Sequence, residues 1–118
     1  MDHAQTQSPA MFDILVVGAG PAGLMAAEQA AQAGMRVALA EAMPSPARKF
    51  LMAGKSGLNL TKAEKPDAFL QYFDAISSLK PILSKFGPAE VIDFAEGLGQ
   101  EVFTGSTGRV FPTRMKAS

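Results

Sequence analysis

An α/β fold opening with a βαβ unit on parallel strands is what this 118-residue chain predicts, on three observations. A short, almost wholly apolar run, Phe12 to Val17, leads into Gly18-Ala19-Gly20-Pro21-Ala22-Gly23. An alanine-rich stretch from Leu24 to Ala33 follows and meets Gly34. A second strand-like run, Arg36 to Glu41, then ends in an acid. Strand, glycine turn, helix and strand within about 30 residues have the size of one βαβ unit, here 12–41.

Each element has a local reason. Continuous apolarity with β-branched residues over 12–17 suits a parallel strand buried on both faces better than a half-exposed one. Alanine is the strongest helix former, which sets the helix over Leu24 to Ala33, and Gly34 stands where a C-terminal cap belongs. Pro21 suits a first-turn position, where its missing N–H costs little.

The texture changes after Glu41. Residues 1–10 read as a disordered tail, and 43–61 as a loop with two prolines near its start and no sustained period. From Asp67, the residues Phe69, Phe73, Ile76, Leu79, Leu83 and Phe86 recur at steps of three or four, an amphipathic helical face that Pro81 is expected to break or kink. Pro88 opens a further helix with Val91, Phe94 or Ala95, and Leu98 inward, so 67–97 is a helical segment. Gln100–Phe103 and Arg109–Phe111 read as two short strands around Gly105-Ser106-Thr107-Gly108, a hairpin over 100–111. Two parallel strands leave edges in need of partners, and Ser118 is placed like a helix N-cap with nothing after it. Residues 11–118 are therefore expected to be the N-terminal part of a larger, here incomplete, domain.

Composition removes several functions. Lys+Arg and Asp+Glu are both 11, against the basic excess of an electrostatically driven nucleic-acid binder. The absence of cysteine removes thiolate metal sites and redox cysteine pairs, and a single histidine, His3, supports no metal cluster or triad. The N-terminus lacks a basic region followed by an apolar core, and no stretch reaches the about 20 apolar residues of a membrane span. A cytoplasmic protein with no membrane and no nucleic-acid partner is the expectation. The oligomeric state stays open.

The chemistry lies in the glycine turn. Gly18 permits the tight turn, Gly20 lets backbone approach a pyrophosphate, and Gly23 lets helix and strand pack closely. Unpaired N–H groups at the helix start, aided by the helix dipole, then hold phosphate oxygens. Glu41, 18 positions after Gly23, can accept both hydroxyls of an adenosine ribose, and its charge disfavours a 2′-phosphate. Physics leaves FAD and NAD both open at this point. It also leaves open a non-catalytic NAD/ADP-binding module and an inactive truncated fragment. Gly54-Lys55-Ser56 is no P-loop, because Lys49 stands where that pattern needs a glycine. Glu90, Asp93 and Glu96 read as a solvated helix face.

The string Val16 to Ala27, followed by Gly34, Val37 and Glu41, resembles the FAD fingerprint of two-dinucleotide-binding-domain flavoproteins. Arg48-Lys49-Phe50-Leu51-Met52-Ala53-Gly54, Asn59-Leu60-Thr61, Gly97-Leu98-Gly99-Gln100 and Gly108-Arg109-Val110-Phe111-Pro112 resemble one bacterial branch, the aminoacetone-oxidase-like NAD(P)/FAD-dependent oxidoreductases. Most of that family carries three glycines, then arginine, cysteine and asparagine, after the Arg-Lys pair. Here Gly54-Lys55-Ser56-Gly57-Leu58-Asn59 keeps only the first glycine and the asparagine, the mark of a divergent subgroup. The resemblance implies FAD as cofactor, with NAD(P)H a candidate electron donor and an unknown small molecule as substrate. It implies that Gly18, Ala19, Gly20, Pro21, Ala22, Gly23 and Glu41 bind the cofactor, and that Arg48, Lys49 and Asn59 lie along it. No catalytic acid or base stands out among these residues.

Overall fold

The computed structural model describes residues 11–73 and 76–117; the tail expected over 1–10, with His3, and the cap position of Ser118 lie outside them. The chain forms two compact units, one ending at Leu51 and one beginning at Met52.

The first unit is the βαβ motif: β1 (Ile14–Val17), α1 (Pro21–Gln32) and β2 (Val37–Ala40). The strands pair in parallel, from Ile14 opposite Val37 to Val17 opposite Ala40. The ladder is extended beyond Val17 by the Gly18 amide, which donates to the Ala40 carbonyl at 2.7 Å. Below its start, the Asp13 carboxylate accepts from the Arg36 amide at 2.8 Å and from its guanidinium at 2.9 Å. Helix α1 begins at Pro21, earlier than the alanine run suggested, because Pro21 takes the first helical position behind Gly20 as N-cap. At its end Gly34 adopts φ +83°. The Gly34 amide then reaches Ala31 and the Met35 amide reaches Ala30, a Schellman closure.

The first strand departs from expectation. Its burial alternates, with Leu15 64% and Val17 80% exposed. Within this unit α1 covers one face of the two-stranded sheet, so continuous apolarity does not here mean burial on both sides. The stretch 43–61 also carries more structure than a loop. Ala47, at φ 57°, precedes a short helix, α2 (Arg48–Met52), whose Leu51 amide donates to the Ala47 carbonyl. Five helical residues are too few to show a period, which is why the sequence concealed them.

The second unit holds β3 (Thr61–Lys62), α3 (Pro66–Leu70), α4 (Ile76–Leu83), α5 (Pro88–Gly97), β4 (Val102–Thr104) and β5 (Arg109–Pro112). Its sheet is antiparallel in the order β3-β5-β4. The hairpin is as expected, although its first strand lies two residues later. Its turn closes through Gly105 amide to Arg109 carbonyl at 2.8 Å. Pro112 ends β5 beyond the two residues that β3 pairs, where a missing N–H breaks no ladder bond on that side. Val110, at the centre, is fully buried, with Leu58, Leu70 and Ala95 buried in the same unit.

The helical segment breaks elsewhere than Pro81. Helix α3 ends when the amides of Gln71, Tyr72 and Phe73 each bond three residues back, a tightening that closes a helix. Pro81 lies inside α4, where its ring costs one bond to the exposed Ser77 carbonyl. Glu90 is not merely solvated: it accepts from the Gly87 amide at 2.9 Å and caps α5. No helix among the described residues is long and apolar enough to cross a membrane.

Candidate functional site

The turn between β1 and α1 is shaped by three glycines with three different reasons. Gly18 sits at φ +98°, a region L side chains avoid. At Gly23 a Cβ would stand 1.8 Å from the Gly18 carbonyl oxygen, so helix and strand approach this closely only without a side chain. At Gly20, in ordinary extended backbone, a Cβ would meet nothing within 4 Å. The space beside Gly20 is open.

Leu24 is the first residue of α1 whose amide pairs within the helix, to the Gly20 carbonyl at 2.9 Å. Pro21 has no N–H, and the geometry of a helix start leaves the Ala22 and Gly23 amides without an intrahelical acceptor. The 12-residue helix adds its positive dipole end. Such a terminus suits an anion, a phosphate above all.

Glu41, half-buried just beyond β2, is drawn into this turn. One carboxylate oxygen accepts from the Ala19 amide at 2.8 Å and the other from the Met43 amide at 2.9 Å. These bonds, Met43 first and Ala19 second, hold its carboxyl below the ordinary glutamate range. A carboxylate offers about four acceptor positions, so two remain for hydroxyl donors. The Ala47 amide in turn donates to the Ala19 carbonyl at 2.8 Å and fastens the loop after β2 against the turn.

These pieces line one groove of about 220 Å³, formed by Ala19, Gly20, Pro21, Glu41, Met43, Ser45, Ala47, Arg48, Lys49 and Phe50. Pockets that enclose an entire drug-sized ligand run from about 300 to 1,000 Å³, so this volume suits a diphosphate–ribose portion. Arg48 rests its guanidinium 3.4 Å from the Ser45 hydroxyl. With Arg48 and Lys49 against Glu41, the lining carries one net positive charge. The residues present thus fit the phosphate and ribose of a dinucleotide.

Of the residues singled out from sequence, Ala19, Gly20, Pro21, Glu41, Arg48 and Lys49 come together in the groove. Gly18, Ala22 and Gly23 build the turn behind it. Asn59 is exposed in the second unit, before β3. Met43, Ser45, Ala47 and Phe50 were missed; nothing in a proline-containing loop signals that it folds back. No group of three or more potential metal ligands occurs among the described residues.

Comparison with known proteins agrees with this architecture. Over 101 residues the chain is 33% identical to the ribosomal RNA dihydrouridine synthase of Escherichia coli K12, which covers 85% of the chain and 25% of that protein. Over 41 residues it is 54% identical to the ferredoxin–NADP reductase of Saccharopolyspora erythraea, covering 35% of the chain and 12% of that protein. The chain therefore spans a quarter or less of the length of these relatives. A match to the HI0933-like protein Rossmann domain runs over residues 12–118, from the first residues of the βαβ unit through the antiparallel sheet. With the parallel pair, the glycine turn and the acid after β2 all in place, the chain belongs to the HI0933-like Rossmann domain family.

Proposed function

We propose that this chain is the FAD-binding Rossmann portion of a flavin-dependent oxidoreductase. The diphosphate rests at the start of α1, the adenosine ribose hydrogen-bonds Glu41, and Arg48 and Lys49 balance the phosphate charge. The observation that carries this reading is the open space beside Gly20 at a helix start with unpaired amides, facing a carboxylate held in place by Ala19 and Met43. Bound FAD supplies hydride and electron transfer at its ring, while the protein supplies binding and orientation. NAD(P)H as the reductant is supported by the likeness to a ferredoxin–NADP reductase. In this reading the protein resides in the cytoplasm.

Two readings of the substrate follow from different observations. The loop resemblance around Arg48-Lys49 and Asn59 favours a small molecule, as in the aminoacetone-oxidase-like branch. The 33% identity to a ribosomal RNA dihydrouridine synthase favours reduction of a uridine in RNA by the whole protein. The balanced charge of this chain weighs towards the small molecule.

The test is a visible absorbance spectrum after FAD is added and the unbound fraction removed. Retained flavin bands that disappear in Gly20→Val support the proposal. A parallel sample given NAD is read by its ultraviolet absorbance, and retention of NAD but not FAD makes the chain a non-catalytic NAD/ADP-binding module instead. Retention of neither overturns dinucleotide binding as a property of this chain.

A further inference from the structure

We infer that the second unit carries its own site for a nucleotide unit, a planar ring bearing a phosphate, in the groove lined by Lys62, Phe69, Tyr72, Thr107 and Arg109. The groove holds about 350 Å³ and every residue of its lining belongs to the second unit. It goes beyond the flavin site and does not depend on it.

Two like charges meet across this sheet. Lys62 on β3 stands directly opposite Arg109 on β5, a pairing that sheets ordinarily avoid. Lys62 is compensated: its ammonium forms an ion pair with Glu64 and donates to the Tyr72 hydroxyl at 2.9 Å. Its stem lies along the turn, where a Cβ on Gly108 would sit 3.6 Å from the Lys62 Cγ. Arg109, by contrast, is exposed, and among the described residues its guanidinium has no hydrogen bond or ion pair. The Thr107 hydroxyl on the neighbouring turn is likewise without a partner among the described residues. An uncompensated guanidinium beside a free hydroxyl matches the oxygens of a phosphate, which guanidinium grips in a bidentate fork. Glu64 does not line the groove, and no other acidic side chain does.

The same groove is lined by two aromatic rings, Phe69 and Tyr72. Tyr72 is 63% exposed, yet its ring is held: the hydroxyl accepts from Lys62 and donates to Glu64 at 3.1 Å, and the Lys62 ammonium lies 5.2 Å from the ring centroid. Phe69 beside it is fixed edge-to-face on Phe73, centroids 5.4 Å apart. A rigid, exposed aromatic plane is a stacking platform for a base, tolerant of base identity. Phosphate recognition and a ring platform in one groove define a nucleotide, either free or as one unit of a single-stranded RNA.

The chain supplies its own reporter, since Tyr72 is the single tyrosine and there is no tryptophan. Tyrosine emission of the 118-residue chain is titrated with uridine 5′-monophosphate, uridine, inorganic phosphate and a short oligouridylate. The expected result is saturable quenching by the monophosphate that weakens about tenfold or more in Arg109→Gln, as loss of a charge-assisted contact requires. Uridine binds more weakly, and flavin retention at the first unit is unchanged in the variant. Tighter binding of the oligouridylate assigns the site to RNA, and equal binding assigns it to a free nucleotide. Absence of saturable quenching overturns the inference. So does an identical titration in Arg109→Gln, or inorganic phosphate competing as strongly as the monophosphate. Thr107→Val, on an exposed turn, gives the same reading should Arg109→Gln fail to fold.

Discussion

The Glu41 carboxylate accepts a hydrogen bond from the Ala19 amide at 2.8 Å, joining residues 22 positions apart at the mouth of the candidate dinucleotide groove. The same carboxylate holds the Met43 amide, so one side chain ties the glycine turn to the loop that completes the groove. An acid expected to meet only a ribose therefore also builds the place where the ribose would sit.

Glu41→Gln leaves one acceptor oxygen for two backbone donors and turns an NH₂ towards one of them. Affinity for FAD is expected to fall about tenfold or more, read from flavin absorbance after removal of the unbound fraction. A pH dependence accompanies it. Because Met43 and Ala19 hold the folded carboxyl below its ordinary value, the unfolded chain takes up this proton first as pH falls. The stabilisation is complete above the ordinary glutamate value and is lost as pH falls through the lowered folded one. Urea midpoints of the parent chain should therefore drop as pH falls below the ordinary glutamate range, and that component should be missing in Glu41→Gln.

The glycines of the turn should separate stability from binding. Gly23→Ala places a methyl group against the Gly18 carbonyl and should cost about 2–4 kcal/mol, measured by thermal or urea denaturation. Gly20→Ala points into open space at an N-cap and should cost about 1 kcal/mol or less. If the backbone there meets a diphosphate, Gly20→Ala still loses flavin retention while remaining folded.

Pro81→Ala should stabilise the second unit. It restores an N–H inside α4 and removes a ring clash, offset in part by the freer unfolded chain. A gain of about 1–2 kcal/mol in urea denaturation is expected.

Val110→Ala tests where the core of the second unit lies. Val110 is fully buried on the central strand, with β3 on one side and β4 on the other. Removing two methyl groups there should cost about 2 kcal/mol or more, with no change in flavin retention.

The βαβ start was legible because its signals are local. A glycine at φ +98°, proline at a first helical turn, an alanine run and a Schellman glycine at 34 each act within a few residues of themselves. The hairpin was legible for the same reason, through the turn at Gly105–Gly108. The helix α2 and the two-residue strand β3 left no such trace, being too short for a pattern to repeat. Pro81 did not mark the break, because a proline marks strain without saying where the chain yields, and α3 ends at Leu70, eleven residues earlier.

By itself, then, the sequence determined the parallel pair, the glycine turn, the acid after β2 and the existence of a hairpin, since near-neighbour sterics and side-chain periodicity settle these. Tertiary structure alone decided that Glu41 clips Ala19 to Met43, that a short helix brings Arg48 and Lys49 to the same groove, and that Lys62 faces Arg109 across β3 and β5. Those relationships join residues far apart in the chain, and register between distant segments is set by which buried surfaces meet, a property no local window contains.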